Sequence, residues 1–249
     1  GARAKTWSPE TMQSARSLPL GTIGAGTLPS TGGDRAAGKA VETSEASGDP
    51  GAQWAGTLFF ETQDGSAACS AQFISPHVAL TAAHCVRDLD TGAWHDGLLF
   101  AVGYDYDSAG YAALHGDYDC AATPAAAVGD DPERYGYAYA AIRFSEPSRF
   151  GHFGLAWNAP ATNQSAYVVG TDGPLSGPVE QIGGMGRLIY GTEAASTPGG
   201  SGWALTGEPG TTLIGVSAFS FEDQPGAVYG PVFGDAFKSL WDYVENGCR

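Results

Sequence analysis

From residue 54 onward, short runs rich in Val, Ile, Phe, Tyr, Trp and Thr alternate with turns built on Gly, Pro and Asp. The repeat distance is about 8–12 residues, the rhythm of antiparallel sandwiches and barrels and too short for a helical bundle. The runs cover 54–61, 67–74, 78–81, 98–106, 137–144, 165–170, 186–190, 212–217 and 227–232. Gln63-Asp64-Gly65, between the first two, reads as a hairpin turn, because Asp-Gly tolerates the positive φ that a tight turn demands. Near the C-terminus the period changes. Phe237, Leu240, Trp241 and Val244 recur at helical spacing behind Asp235, which is suited to cap a helix.

A length of 249 residues suits one large all-β domain or two small ones, and 37 glycines and 15 prolines supply the turns. Residues 1–50 differ from the rest. They are rich in Gly, Ala, Ser and Thr and show no sustained periodicity. They are expected to form an extension, loosely structured or lying along the domain surface, either a propeptide or a plain arm. Removal of a propeptide would expose a new N-terminus near 48–54. No leader peptide is visible at residue 1, so the chain reads as already processed.

The net charge of -15 argues against nucleic acid as a partner, since nothing would neutralise phosphates, and it suits a secreted protein. No apolar stretch approaches the roughly 18–20 residues of a membrane span, so no membrane partner is expected. Four cysteines allow three pairings, and none forms a Cys-x-x-Cys unit, so zinc is not expected. Disulfides imply an oxidising compartment.

Two segments carry chemistry. In Thr81-Ala82-Ala83-His84-Cys85, a histidine follows small or β-favouring residues at the end of a strand. A lone histidine there is usually structural, but Cys69 lies 16 positions before Cys85 on the partner strand. A bridge between them would pin the loop that holds the imidazole. In Pro198-Gly199-Gly200-Ser201-Gly202, the glycines let the backbone turn so that the amides of Gly199 and Ser201 point into one pocket. A flexible Gly/Ser loop is the plainer reading of that string. A nucleophile, a base and an oxyanion pocket are what acyl transfer requires.

Together these segments resemble the chymotrypsin-like serine proteases, particularly the bacterial branch that includes the glutamyl endopeptidases. The resemblance covers residues 50–247. It rests on the two motifs above, on Ser70-Ala71-Gln72-Phe73-Ile74-Ser75 and on Ile214-Gly215-Val216-Ser217. It implies an all-β fold of two antiparallel six-stranded barrels, 51–150 and 151–249, with a C-terminal helix and an active site between them. It further implies a secreted serine endopeptidase, acting as a monomer on protein or peptide substrates without a cofactor. Ser201 would be the nucleophile and His84 the general base. Cys120 and Cys248 remain for a second bridge that ties down the C-terminal helix.

The pattern breaks at one position. The family's third catalytic residue is an Asp at the head of a strand between the His and the Ser. The matching segment is Gly136-Tyr137-Ala138-Tyr139-Ala140-Ala141-Ile142, and Ala138 stands where the Asp belongs. Three readings compete: an Asp removed deliberately, a natural homologue with a broken triad, or a substitute carboxylate, of which Asp119 is the best placed. On the second, the chain would be a non-catalytic binding protein on a protease scaffold.

By the same resemblance, Ala195, Ser196, Ser217, Ala218 and Phe219 line the substrate pocket. No Asp stands at 195–196 to hold a cationic side chain, and no His on the later strand to hold a carboxylate. Phe219 would narrow the pocket toward small or medium apolar residues. Ser217 would support His84 or the substrate backbone, or merely satisfy a barrel hydrogen bond. Asp105, Asp107, Asp117 and Asp119 form two Asp-Tyr-Asp units, read either as a Ca²⁺ site or as a solvated face. His77, His95, His115 and His152 lie outside any motif and are expected at the surface.

Overall fold

The computed structural model describes residues 6–24, 52–157, 164–169, 176–182, 188–192, 199–205, 212–223 and 227–249. The chain opens with a short helix, α1 (Pro9–Ser14), and two strands, β1 (Arg16–Ser17) and β2 (Gly21–Ile23). The first half then forms β3 (Ala55–Thr62), β4 (Gly65–Phe73), β5 (Val78–Ala82), β6 (Asp96–Val102), β7 (Ala113–His115), β8 (Tyr118–Ala122) and β9 (Tyr139–Phe144). The second half forms β10 (Gly154–Leu155), β11 (Gln164–Val168), β12 (Ser176–Ile182), β13 (Leu188–Thr192), β14 (Gly202–Leu205), β15 (Thr212–Val216), β16 (Phe219–Phe221) and β17 (Ala227–Pro231). A helix, α2 (Asp235–Glu245), follows.

Among the described residues these strands make two sheets. The first runs β7-β6-β3-β4-β5-β9-β8, with β1 added against β4. The second runs β10-β15-β14-β11-β12-β13-β17-β16-β2. β1, β2, β7, β10 and β16 are only two or three residues long, so six longer strands remain in each sheet. The expected frame of two six-stranded units is present, with short strands appended, three of whose pairings are parallel.

The β3–β4 hairpin shows how the sequence dictates the first sheet. Gly65 adopts φ +116, a conformation a side chain would oppose, and Thr62 Oγ1 donates to Gly65 O. From that turn the two strands stay in register from Thr62↔Gly65 to Ala55↔Gln72. Two apolar clusters form the core. One joins Phe60, Phe73, Phe100 and Phe144 to Phe219 and Tyr229, and the other joins Tyr139 to Val216, Phe233 and Phe237. Each draws on both sheets, so the seam between them is core and its geometry is fixed by packing.

α2 closes one end of the molecule. Phe237 lies over Phe233 with ring centroids 3.9 Å apart and meets the edge of Tyr139 at 5.1 Å. The helix is capped by Gly234, while Asp235, expected as the cap, is the first helical residue. A carboxylate in the first turn still opposes the positive end of the helix dipole. Ser75 Oγ donates to Glu245 Oε2 at 2.6 Å and Arg143 donates to Glu245 O at 3.0 Å. The Cys120–Cys248 disulfide fixes the end of the chain to β8, and Cys69–Cys85 joins β4 to the turn after β5.

Candidate active site

β5 pairs with β9 from Val78↔Arg143 to Ala82↔Tyr139 and runs into a single helical turn, Ala83–Cys85. That turn carries His84, and Cys85 anchors it through the disulfide to buried Cys69. The amide of Ala83 donates to Ala138 O at 3.1 Å. Ala138, at the head of β9, is therefore held one residue from His84 across the strand pair. It is 3% exposed, and both residues border the same cleft of about 670 Å³.

The Ser201 turn comes from the other sheet and is clamped to the first. Gly200 has φ +89, and a Cβ there would lie 2.2 Å from Ser70 O and 2.3 Å from Thr81 Oγ1. Only glycine fits that close approach in that conformation. Ser70 N donates to Gly199 O at 2.8 Å, Gly200 N to Ser217 O at 2.8 Å, and Ser217 N to Ser201 O at 2.8 Å. A Cβ at Gly199 would meet His84 Nε2 at 2.1 Å, so the imidazole lies directly against the backbone that leads into Ser201. Two residues 117 positions apart in sequence, His84 and Ser201, thus meet at the seam.

Gln72 does much of the clamping. It is fully buried on β4, and its Nε2 donates to Leu80 O at 2.8 Å and Gly200 O at 3.1 Å, while its Oε1 accepts from Gly202 N at 2.8 Å. One amide group thereby satisfies both sides of the nucleophile turn. Its role was not legible in the sequence, where a polar residue inside a strand reads as solvent-facing.

His84 is sealed in. Neither ring nitrogen has a hydrogen-bond partner, so the bond from Ser201 Oγ that general-base catalysis uses is not formed here, and no carboxylate touches the ring. Burial, and secondarily the charge of neighbouring His95, push the imidazole down to about 4. His95 was expected at the surface. Instead it is half-buried, stacked on Phe60 at 4.9 Å, with Nε2 3.0 Å from His84 O. A carbonyl only accepts, so this nitrogen carries the proton and donates. His115 was likewise expected outside and is buried among Phe73, Phe100 and Phe144, because β7 turns it inward beside β6. His77 is part-buried, and His152 is exposed as expected.

Asp119 does not replace the missing carboxylate. Its Oδ2 lies 3.3 Å from Arg143 Nε and its Oδ1 accepts from Ser145 Oγ at 2.9 Å. That places it beside the C-terminus with Glu245 and Arg249, while neither ring nitrogen of His84 has a partner. The Asp-Tyr-Asp units also part company. Asp105 closes a local turn, accepting from Asp107 N at 2.9 Å and Ser108 Oγ at 2.6 Å. Among the described residues, the sole group of three that could approach a metal is Cys69, His84 and Cys85, and its two cysteines form the disulfide.

The pocket residues divide. Ala195 and Ser196 lie outside the described residues. Ser217 Oγ accepts from Trp203 Nε1 at 2.8 Å and does not reach His84. Trp203 is buried, so its bulk fills the core. Ala218 borders the cleft. Phe219 is fully buried, stacked on Tyr229 at 5.8 Å and tilted against Tyr135 at 4.9 Å.

Solved structures place this arrangement. A thermostable serine protease from an extremophilic microorganism superposes with a TM-score of 0.66 at 21% identity, covering 80% of this chain and 99% of its own. The fold is that of the chymotrypsin-like serine proteases. A Glu endopeptidase matches with a TM-score of 0.62 at 16% identity, over 82% of this chain and 96% of its own. An inactivated protease paralogue from the scabies mite matches with a TM-score of 0.55 at 13% identity, over 80% of this chain and 97% of its own. No protein-family model and no curated protein matches the sequence.

Proposed function

We propose that this chymotrypsin-like chain is a secreted serine endopeptidase, made as a precursor and acting as a monomer on protein or peptide substrates. Ser201 attacks the scissile carbonyl, and His84 takes its proton and returns it to the leaving amine. The amides of Gly199 and Ser201 hold the oxyanion, and hydrolysis needs no cofactor. One observation carries this reading: the imidazole of His84 packs on Gly199, within a turn that only glycine permits at position 200. Chain geometry this restrictive serves to hold a nucleophile beside a base. The two disulfides and the fold support an extracellular site of action. No helix among the described residues is long and apolar enough to cross a membrane.

Ala138 leaves His84 without its orienting carboxylate, so this chain is a weak catalyst. The same residue favours a second reading, a binding protein on a protease scaffold, and one structural neighbour is an inactivated paralogue. Digestion of casein or a peptide library by the Ala138→Asp chain separates the two. Cleavage that disappears on further Ser201→Ala substitution supports the endopeptidase. No cleavage, with the fold intact by circular dichroism, supports the binding protein.

A further inference from the structure

An exposed strand edge offers unpaired N–H and C=O groups and accepts an extended peptide as an added strand. β16 has its outer edge beside the candidate nucleophile. It starts two residues after Ser217, whose backbone bonds both Gly200 and Ser201. Whatever pairs with this edge passes next to the Ser201 turn.

In this chain the edge is taken by the chain's own N-terminal segment. β2 lies parallel to β16 in the register Gly21↔Phe219, Thr22↔Ser220 and Ile23↔Phe221. Gly21 N donates to Ala218 O at 3.1 Å and Glu222 N donates to Ile23 O at 3.0 Å. Ile23 is buried in the same cluster as Phe219 and Tyr229. The segment is also fastened to the other sheet. β1 lies parallel to β4, Leu18 N donates to Ala68 O at 2.7 Å, and Met12 of α1 is buried against Phe59, Ala68 and Ala101. Between these two anchorages, Arg16, Leu18, Gly21 and Thr22 line the cleft that His84 and Ala138 border. Ser201 has no exposed surface, and the ring nitrogens of His84 are shut off from solvent.

We infer that residues 16–23 are an inhibitory strap: they occupy the peptide-accepting edge of β16, bridge the two sheets across the cleft, and must leave before a substrate can pair there. The inference rests on the endopeptidase reading and adds which segment blocks the site and which edge it blocks. A tethered occupant competes at an effective concentration of order millimolar, so a free peptide of equal intrinsic affinity must reach about that concentration to displace it. The segment shares the cleft with His84, so its release should also widen access to the base.

The test uses the full chain in the Ala138→Asp background. Ile23→Asp places a carboxylate in a buried apolar site and should eject β2. Gly21→Pro removes the N–H that bonds Ala218 and should act in the same direction without added charge. Two readouts are followed: hydrogen exchange at Glu222, and the rate at which a fluorophosphonate labels Ser201. Faster exchange with at least tenfold faster labelling in both variants, each reversed by a millimolar synthetic peptide of residues 6–24, is the expected result. Faster exchange with labelling unchanged or slower overturns the strap. Labelling absent from every chain, the parent included, overturns the endopeptidase reading instead. The inhibitory role falls with it, and exchange then decides only the occupancy of the β16 edge: protection restored by the peptide supports that occupancy, and protection not restored overturns it.

Discussion

Substituting Ala138 by Asp places one carboxylate beside an imidazole that now has no hydrogen-bond partner. The position is 3% exposed and tied by its carbonyl to Ala83, the residue before His84, so the new side chain has little freedom and one obvious acceptor role. In Ser-His-Asp enzymes, loss of the carboxylate at this point lowers turnover by about 10⁴-fold, or ~5.5 kcal/mol at ~1.4 kcal/mol per decade. Restoring it should raise turnover by roughly three to four orders of magnitude. A second effect is independent of rate. Burial and His95 hold His84 at about 4, and a carboxylate in contact favours the imidazolium, raising such a group by about 1–3 units. The acid limb of the pH profile of kcat/KM should therefore move from near pH 4 to about pH 5–7. The assay is hydrolysis of a peptide-library substrate between about pH 3.5 and 9, with Ala138→Asn as the uncharged control. An unchanged rate with an unmoved acid limb would refute the placement of Ala138 as the missing triad position.

Other consequences follow from the same contacts. Gln72→Ala leaves the groups of Leu80, Gly200 and Gly202 without their buried partner and should cost about 2–4 kcal/mol in urea unfolding, with slower labelling of Ser201 by a fluorophosphonate. A stable Gln72→Ala chain that labels at the parent rate would show that the clamp does not position the nucleophile. Gly200→Ala drives a methyl group to within 2.3 Å of both Ser70 O and Thr81 Oγ1 and should abolish labelling even where the protein still folds. His84 is held below its unfolded value of about 6.5, so its contribution to stability is complete above that pH and is lost as pH falls toward about 4. It amounts to about 3 kcal/mol, read as the difference in urea-unfolding free energy between the parent and His84→Ala at pH 7 and pH 4. A difference that does not vary over that range would contradict the sealed, neutral imidazole.

The parts legible in the sequence were those with a local physical signature. The Asp64-Gly65 turn fixes the β3–β4 hairpin, and β-favouring runs mark β5 and β9, which pair beside the His84 turn. Gly200 announces a backbone that no side chain can follow. The rest depended on distant partners. β1 and β2 are two and three residues long, too short for any period to show, and each pairs with a strand far along the chain. β8 hides behind Asp119 and Cys120, whose polarity belongs to an edge near the C-terminus.

Side-chain roles were lost for the same reason. The packing of Phe219 on Tyr229 and Tyr135 depends on partners that its own short strand does not announce. Ser217 lies beside the nucleophile turn, but Trp203 takes its hydroxyl. His95 lacks any motif, and only the fold brings its ring to His84 O. Of the expected processing region at 48–54, residues 48–51 fall outside the described residues, as do the pocket residues Ala195 and Ser196.

The central claim is that Ser201 forms a covalent acyl intermediate with His84 as base. The direct measurement is acid quenching of the Ala138→Asp chain during turnover of an activated ester, followed by intact-mass and peptide mapping. One acyl group per chain, on the peptide containing Ser201 and lost in both Ser201→Ala and His84→Ala, is the predicted result. An adduct that survives Ser201→Ala, or no adduct despite measurable hydrolysis, would contradict the account.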